Sequence, residues 1–216
     1  TSIMGASKRL SELLLQATYN KKIDQIKTTF TIVRFGNVLD SSGSVIPKFR
    51  KQISEGGPIT LTHPEVSRYF MTIPEAAQLV IQSSALSAGC DIFILDMGKL
   101  IKIKDLIYKL ANLSGFSIKD SKNPEGDIEI LEIGLSPGEK LYEELLLGEL
   151  PEPTPHPKIQ KVNDPYVELD ILELELKNMD INIKNNEMSN LITQLEKLVS
   201  GYNPSKKIIN SIPKNL

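Results

Sequence analysis

The feature that most constrains this chain is the exchange of hydrophobic period along it, from about 3.6 residues to about 2 and back. Leu10, Leu13, Leu14 and Ala17 recur at helical spacing and predict a helix over about residues 3–20. A polar linker from Asn20 to Thr28 gives way to Thr29-Phe30-Thr31-Ile32-Val33-Arg34-Phe35, a β-branched and aromatic run stopped by Gly36-Asn37. That run predicts a strand ending in a turn. Val45 to Glu55 returns to helical spacing, with Pro47 in its first turn and Gly56-Gly57-Pro58 just beyond, as proline and glycine punctuate helices. A short strand Ile59-Thr60-Leu61, a helix from Ile73-Pro74-Glu75 to about Leu86 and a buried strand from Asp91 to Gly98 follow. Ile103 to Ser114 reads as a helix closed by Gly115, and Ile128 to Ile133 as a strand. Such alternation predicts an α/β fold with parallel strands.

Pro151, Pro153, Pro155 and Pro157 make Leu150 to Lys158 a stiff, extended connector. One or two helices are expected after it, over about 167–178 and 187–199, and then a frayed lysine- and asparagine-rich end. The expected division is a core over residues 1–165 and a helical tail over 166–216.

With 216 residues, 40% of them hydrophobic and 24% charged, the chain has the composition of one ordinary globular domain. A net charge of −2 supplies no excess positive potential for a phosphate backbone, so nucleic acid is not an expected partner. No apolar run approaches the roughly 20 residues that span a bilayer, and no signal segment opens the sequence. A cytoplasmic location is therefore expected. Cys90 is the only cysteine, which excludes an internal disulfide and any zinc site built on several cysteines. His63 and His156 lie far apart and read as surface-loop residues, so no metal is expected. The paired acids Glu143-Glu144 and Asp127-Glu129 read as solvated positions.

Three of the four arginines, Arg34, Arg50 and Arg68, fall within one stretch. Guanidinium forks suit phosphate and carboxylate, so the cluster marks either an anion site or chance. Arg34-Phe35-Gly36-Asn37-Val38 ends a strand, where open α/β sheets bind ligands. Asn37 can hydrogen-bond a phosphate or sugar oxygen, and the helix starting near Val45 presents a positive end. The same residues serve equally as a plain β–loop–α turn. Gly134-Leu135-Ser136-Pro137-Gly138-Glu139-Lys140 is likewise either a ligand loop or a two-glycine turn.

Five strings occur in order at sensible spacings: Met4-Gly5-Ala6-Ser7-Lys8, Arg34-Phe35-Gly36-Asn37-Val38, Gly43-Ser44-Val45-Ile46-Pro47, Ser67-Arg68-Tyr69-Phe70-Met71-Thr72 and Gly138-Glu139-Lys140-Leu141-Tyr142-Glu143-Glu144. Together they resemble the capsule and O-antigen branch of the extended short-chain dehydrogenase/reductases, which includes UDP-N-acetylglucosamine 4,6-dehydratases. The resemblance covers roughly residues 1–165. It implies the C-terminal half of a Rossmann-type enzyme with its substrate-binding region, NAD as cofactor and a UDP-N-acetylhexosamine as substrate. It also implies a homo-oligomer when complete. Such enzymes dehydrate the sugar to its 4-keto-6-deoxy derivative for surface polysaccharide. A UDP-sugar 4-epimerase on the same scaffold and a non-catalytic nucleotide-sugar-binding remnant are the alternatives.

The resemblance assigns Lys8 to the nicotinamide ribose and puts Met4 where the family usually has a tyrosine base. A thioether cannot take a proton from a hydroxyl, so Met4 is no base; its presence favours the dehydratase over the epimerase. Asn37 and Arg68 would hold the diphosphate, and Glu139 the uridine ribose hydroxyls. Ser44 would touch sugar or diphosphate, or serve as a turn or helix cap. Lys8 also reads as a solvent-facing lysine, and Glu139 as a first-turn glutamate favoured by the helix dipole.

Two departures stand out. Ser136 occupies the position where the family normally has arginine; losing a charged hydrogen bond costs about 1.5–3 kcal/mol, or roughly ten- to a hundredfold in affinity, with Lys140 the nearby cation that could offset it. No glycine-rich pyrophosphate turn occurs in these 216 residues, and the family's Asp-Lys pair would lie upstream of Thr1. The NAD-binding loop is thus expected in an absent N-terminal half, together with any membrane helices of a parent enzyme. Alone, the chain is expected to be inactive, with a bare sheet edge and uncovered apolar faces.

Overall fold

A computed structural model describes residues 2–143 and 150–204. The first helix, α1 (Ile3–Lys21), begins where the Ser2 hydroxyl accepts a hydrogen bond from the Gly5 amide at 3.0 Å, satisfying a donor that the helix cannot. Of the residues at helical spacing, Leu13 and Ala17 are buried, Leu10 is half-buried and Leu14 is exposed, while Ala6, Arg9 and Gln16 are buried as well. Strands β1 (Phe30–Arg34) and β2 (Asn37–Val38) come next. Helix α2 (Val45–Ser54) buries Ile46, Phe49 and Ile53. After it come β3 (Ile59–Leu61), β4 (Ser67–Arg68) and β5 (Phe70–Met71). Helix α3 (Ile73–Leu86) is capped by the Thr72 hydroxyl and carries Pro74 in its first turn. Strand β6 (Cys90–Leu95) has its last four residues buried, as its nearly continuous apolar run predicts.

The remaining elements are β7 (Ile101–Lys102), α4 (Ile103–Leu113), β8 (Ile118–Lys119), β9 (Ile128–Glu132), β10 (Glu152–Pro153), β11 (Ile159–Val162), α5 (Leu169–Lys184) and α6 (Met188–Leu198). The principal sheet runs β1-β6-β11-β10. Strands β1 and β6 are parallel, with Ile32 opposite Ile92. Strands β3, β9 and β8 form a second, wholly parallel sheet. The fold is α/β, as the alternation predicts.

Two expectations need correction. The proline connector is not simply extended: β10 and β11 form an antiparallel hairpin, and β11 pairs antiparallel with β6, Ile159 opposite Leu95. Pro153 is tolerated because it sits on the outermost strand, where a missing N–H breaks no inner ladder. Helix α5 runs past residue 178 to Lys184 because no breaker intervenes before Asn186, which adopts a left-handed φ of 57°. The tail packs back on the first helix. Ala6, Leu13 and Ala17 of α1 share one buried cluster with Leu169, Leu172 and Met179 of α5 and Leu195 and Leu198 of α6. The expected fraying near the C-terminus falls on residues 205–216, outside the described residues.

Strand β1 pairs on one side only, with β6, and Ile3, Leu14 and Leu15 of α1 are exposed. Among the described residues, β1 is thus an edge strand, with exposed apolar side chains on α1. Phe35 and Gly36 leave the carboxyl end of β1 and open the candidate site.

Candidate functional site

Met4 and Lys8 are one helical turn apart, so both project from the same face of α1; both are exposed. They line a cavity of about 630 Å³ together with Arg34, Gly36, Arg68, Glu139, Lys140 and Glu143. A smaller space of about 140 Å³ adjoins it through Arg68 and Glu139 and reaches Asn37, Lys48 and Thr62. A third, of about 400 Å³, is entered past Gly36 and Asn37 and is lined by Ser41, Ser42, Gly43 and Ser44. Shared lining residues join the three into one groove, and all six residues singled out from the sequence open onto it.

Local structure explains the placement. Gly36 passes so close to Tyr69 and Met97 that a Cβ there would lie 3.2 Å from Tyr69 Cβ and 3.3 Å from Met97 Cε. The chain then turns outward, and the Asn37 amide donates to the Tyr69 carbonyl at 3.0 Å. Ser44 stands at the N-cap of α2 but makes no side-chain cap bond. Its Oγ is buried without a partner, so the capping alternative is not realised. Among the described residues nothing offsets the cost of burying that hydroxyl.

Arg68 and Glu139 are held as a unit. Thr62 Oγ1 donates to Glu139 Oε1 at 2.7 Å, and the Ser136 amide donates to Oε2 at 2.9 Å. Arg68 Nη1 donates to the Ser67 and Leu141 carbonyls at 2.8 and 3.2 Å. Its Nη2 lies 3.7 Å from Glu139, and its Nε lies 3.2 Å from Glu143. Glu143 is thus no merely solvated acid, which corrects the sequence reading; Glu144 lies outside the described residues. Asp127 also has partners, the amide and hydroxyl of Ser117 at 2.7 and 2.6 Å, which hold its carboxyl below the usual range.

The arginines do not form one anion site. Arg50 pairs with exposed Asp40 at 3.1 Å. Arg34 is drawn into a buried quartet with Glu12, Arg9 and Asp164. Burial lowers the affinity of Arg34 for its proton, but the hydrogen bonds it donates to Glu12 and Asp164, with their negative charges, outweigh it and raise the pKa overall. Arg9, Glu12 and Arg34 of the quartet line the larger cavity beside Lys8. Arg34 Nη1 is left buried without a partner.

Thr62, Glu143 and Glu12 are the site residues that sequence reading missed. The four-residue spacing of Glu139 and Glu143, and of Lys8 and Glu12, was the available signal. Both histidines are half-buried loop residues whose Nδ1 accepts a backbone amide two residues on, from Glu65 and Lys158. Among the described residues no group of histidine, cysteine or acidic side chains could hold a metal, and no helix is long and apolar enough to cross a membrane.

Known proteins resemble the chain over about two thirds or more of its length. The capsular polysaccharide biosynthesis protein CapD of Staphylococcus aureus is 54% identical over 146 residues, covering 68% of this chain and 23% of that protein. A UDP-glucose 4-epimerase of Rickettsia canadensis is 34% identical over 148 residues, covering 68% and 40%. The crystal structure of Pen from Bacillus thuringiensis superposes with a TM-score of 0.61 at 37% identity, covering 76% of this chain and 49% of that one. The chain thus spans less than half the length of the relatives it matches. The family described as polysaccharide biosynthesis protein matches residues 1–164, the stretch that supplies every residue of the groove, and the chain belongs to that family.

Proposed function

We propose that this chain is the nucleotide-sugar-binding half of an NAD-dependent dehydratase. The enzyme would convert a UDP-N-acetylhexosamine to its 4-keto-6-deoxy derivative for surface polysaccharide. The observation that carries this reading is the convergence of Met4 and Lys8 from the start of the chain with Arg68 and Glu139 on one cavity, which Asn37 and Ser44 extend. A UDP-sugar is long, with an anionic middle and hydroxyl-rich ends. The groove offers a guanidinium and an amide near its middle, a carboxylate on one side and a hydroxyl-lined recess on the other.

In this reading Asn37 and Arg68 donate to diphosphate oxygens. Glu139, fixed by Thr62 and the Ser136 amide, accepts from the uridine ribose hydroxyls. Ser44 donates its unpartnered hydroxyl to sugar or diphosphate. The residues present fit one end of NAD only: the exposed Lys8 ammonium suits the nicotinamide ribose, Met4 packs over the ring, and no pyrophosphate turn occurs in the sequence. When bound, NAD would supply hydride acceptance from the sugar and its return. Met4 moves no proton, so another group must do so. Core residues 1–165 would carry the site, with the tail from 166 as support. A cytoplasmic homo-oligomer that includes the N-terminal half would be the working form.

The test is to join this chain to the N-terminal half of a family relative and supply UDP-N-acetylglucosamine. A 4-keto-6-deoxy product, lighter by one water, is expected from the joined protein and none from the 216-residue chain alone. Inversion at C4 without loss of water would establish the second reading, a UDP-sugar 4-epimerase, which the likeness to the Rickettsia canadensis protein favours. Binding of UDP-sugar without any turnover would leave a binding module.

A further inference from the structure

The edge of Arg68 that an anion needs is already occupied. A guanidinium grips paired oxygens with two parallel N–H groups. In Arg68 the Nη1 side is committed to the backbone carbonyls of Ser67 and Leu141. Only the Nε and Nη2 edge remains, and there stand Glu143 at 3.2 Å and Glu139 at 3.7 Å. The two carboxylates are held differently. Glu139 is tied by the Thr62 hydroxyl and the Ser136 amide. Among the described residues, the Glu143 carboxylate meets only Arg68.

A diphosphate at this edge would need the Nε and Nη2 donors beside which both carboxylates stand, and it would repel them. One must leave when a diphosphate arrives, and the less tethered one is Glu143. Its departure need not disturb the rest. Leu141 is pinned by accepting a hydrogen bond from the Ser67 amide at 2.9 Å, two residues before Glu143. Glu143 is also more exposed than Arg68, at 29% against 13%, so it has solvent to move into.

We propose that Glu143 is a resident counter-ion of Arg68, displaced by the entering diphosphate, and that it sets the affinity of the groove. This rests on the nucleotide-sugar reading above and adds a residue to it. While the groove is empty, Glu143 keeps the guanidinium from standing uncompensated, and it excludes anions too weak to replace it. A ligand therefore needs the doubled charge of a diphosphate at Arg68 together with the Glu139 contact that a ribose supplies. Single phosphates and carboxylates compete poorly.

The test is calorimetric titration of UDP and, separately, inorganic pyrophosphate into the 216-residue chain and its Glu143→Gln, Glu143→Asp and Arg68→Gln variants, and into the Glu143→Gln/Arg68→Gln double variant. Glu143→Gln removes the competing charge and is expected to bind both ligands about three- to tenfold more tightly. The gain should vanish when Arg68 is also replaced. Glu143→Asp keeps the charge and should gain little; an equal gain there overturns the proposal, since altered packing would then be the cause. Unchanged or weaker UDP binding by Glu143→Gln overturns it while the nucleotide reading stands. An Arg68-dependent gain for pyrophosphate without any UDP binding supports the counter-ion role and overturns the nucleotide reading. Failure of every variant to bind either ligand overturns both.

Discussion

Arg34 donates from Nε and Nη2 to the two carboxylate oxygens of Glu12, at 3.0 and 2.6 Å. The pair joins the end of β1 to the middle of α1. The same Nη2 reaches Asp164 at 2.6 Å, and Arg9 closes the set by donating to Glu12 at 2.9 Å. Removing one member of a largely buried set leaves the others uncompensated. Glu12→Gln is expected to lower stability by about 2–4 kcal/mol in urea denaturation. A loss below about 1 kcal/mol would mean that solvent screens the set as it does a surface pair.

Ser44 leads to the opposite expectation. Its buried hydroxyl has no partner, so Ser44→Ala removes a desolvated polar atom and should raise stability by about 1 kcal/mol. If the hydroxyl faces a ligand, the same change should weaken UDP binding by about fivefold. Thermal melting and calorimetry on one preparation read both effects, and a drop in melting temperature would show that the hydroxyl has a partner after all.

Tyr108 donates to Asp120 Oδ2 at 2.6 Å. That hydrogen bond, aided by burial, pushes the phenol up to about 12. A folded pKa above the unfolded value near 10 means that the native state holds this proton more tightly. The contribution to stability is full below about pH 10 and is lost as pH rises toward about 12. Burial also raises Tyr202, so ultraviolet titration should find two of the six tyrosines ionising late, and Tyr108→Phe should remove one of them. A late amplitude unchanged by the substitution would assign it elsewhere.

Gly126 has no room for a side chain. A Cβ there would stand 2.5 Å from the Ile118 carbonyl carbon and oxygen and from the Lys119 amide nitrogen, which belong to β8 and cannot yield as a side-chain tip would. Gly126→Ala is expected to cost about 2–4 kcal/mol, against a smaller loss for Ala at Gly115, which has open space around it but a left-handed φ of 82°. Chemical denaturation of the two variants side by side tests the ranking.

Much of this was legible in the sequence because it rests on local physics. Helix α2 was marked by Pro47 at one end and Gly56-Gly57-Pro58 at the other, and β6 by its apolar run. The candidate groove residues were found by motif, and each opens onto the groove. The partners of those residues were not legible. Arg34 looked like an anion ligand, yet it is bound by Asp164, 130 positions further on, and no local pattern announces a contact so distant. The hairpin of β10 and β11 was hidden by prolines, whose local signal is extended chain whether or not a neighbouring strand accepts it. Glu143 was read as solvated because its partner lies on β4, where a two-residue strand carries almost no periodic signal.

Asp164 and the Pro165 carbonyl, which accepts from Arg9 Nη2 at 2.9 Å, stand at the margin of the matched region. The core thus takes its last counter-charge from the segment that leads into the tail. A shortened protein ending at Val162 would keep every sheet strand and every groove residue, yet leave two sequestered guanidinium groups facing one carboxylate. It would also strip α5 and α6 from the buried cluster they share with α1, so the smallest self-sufficient unit is set by charge balance and by that packing, and not by the last strand.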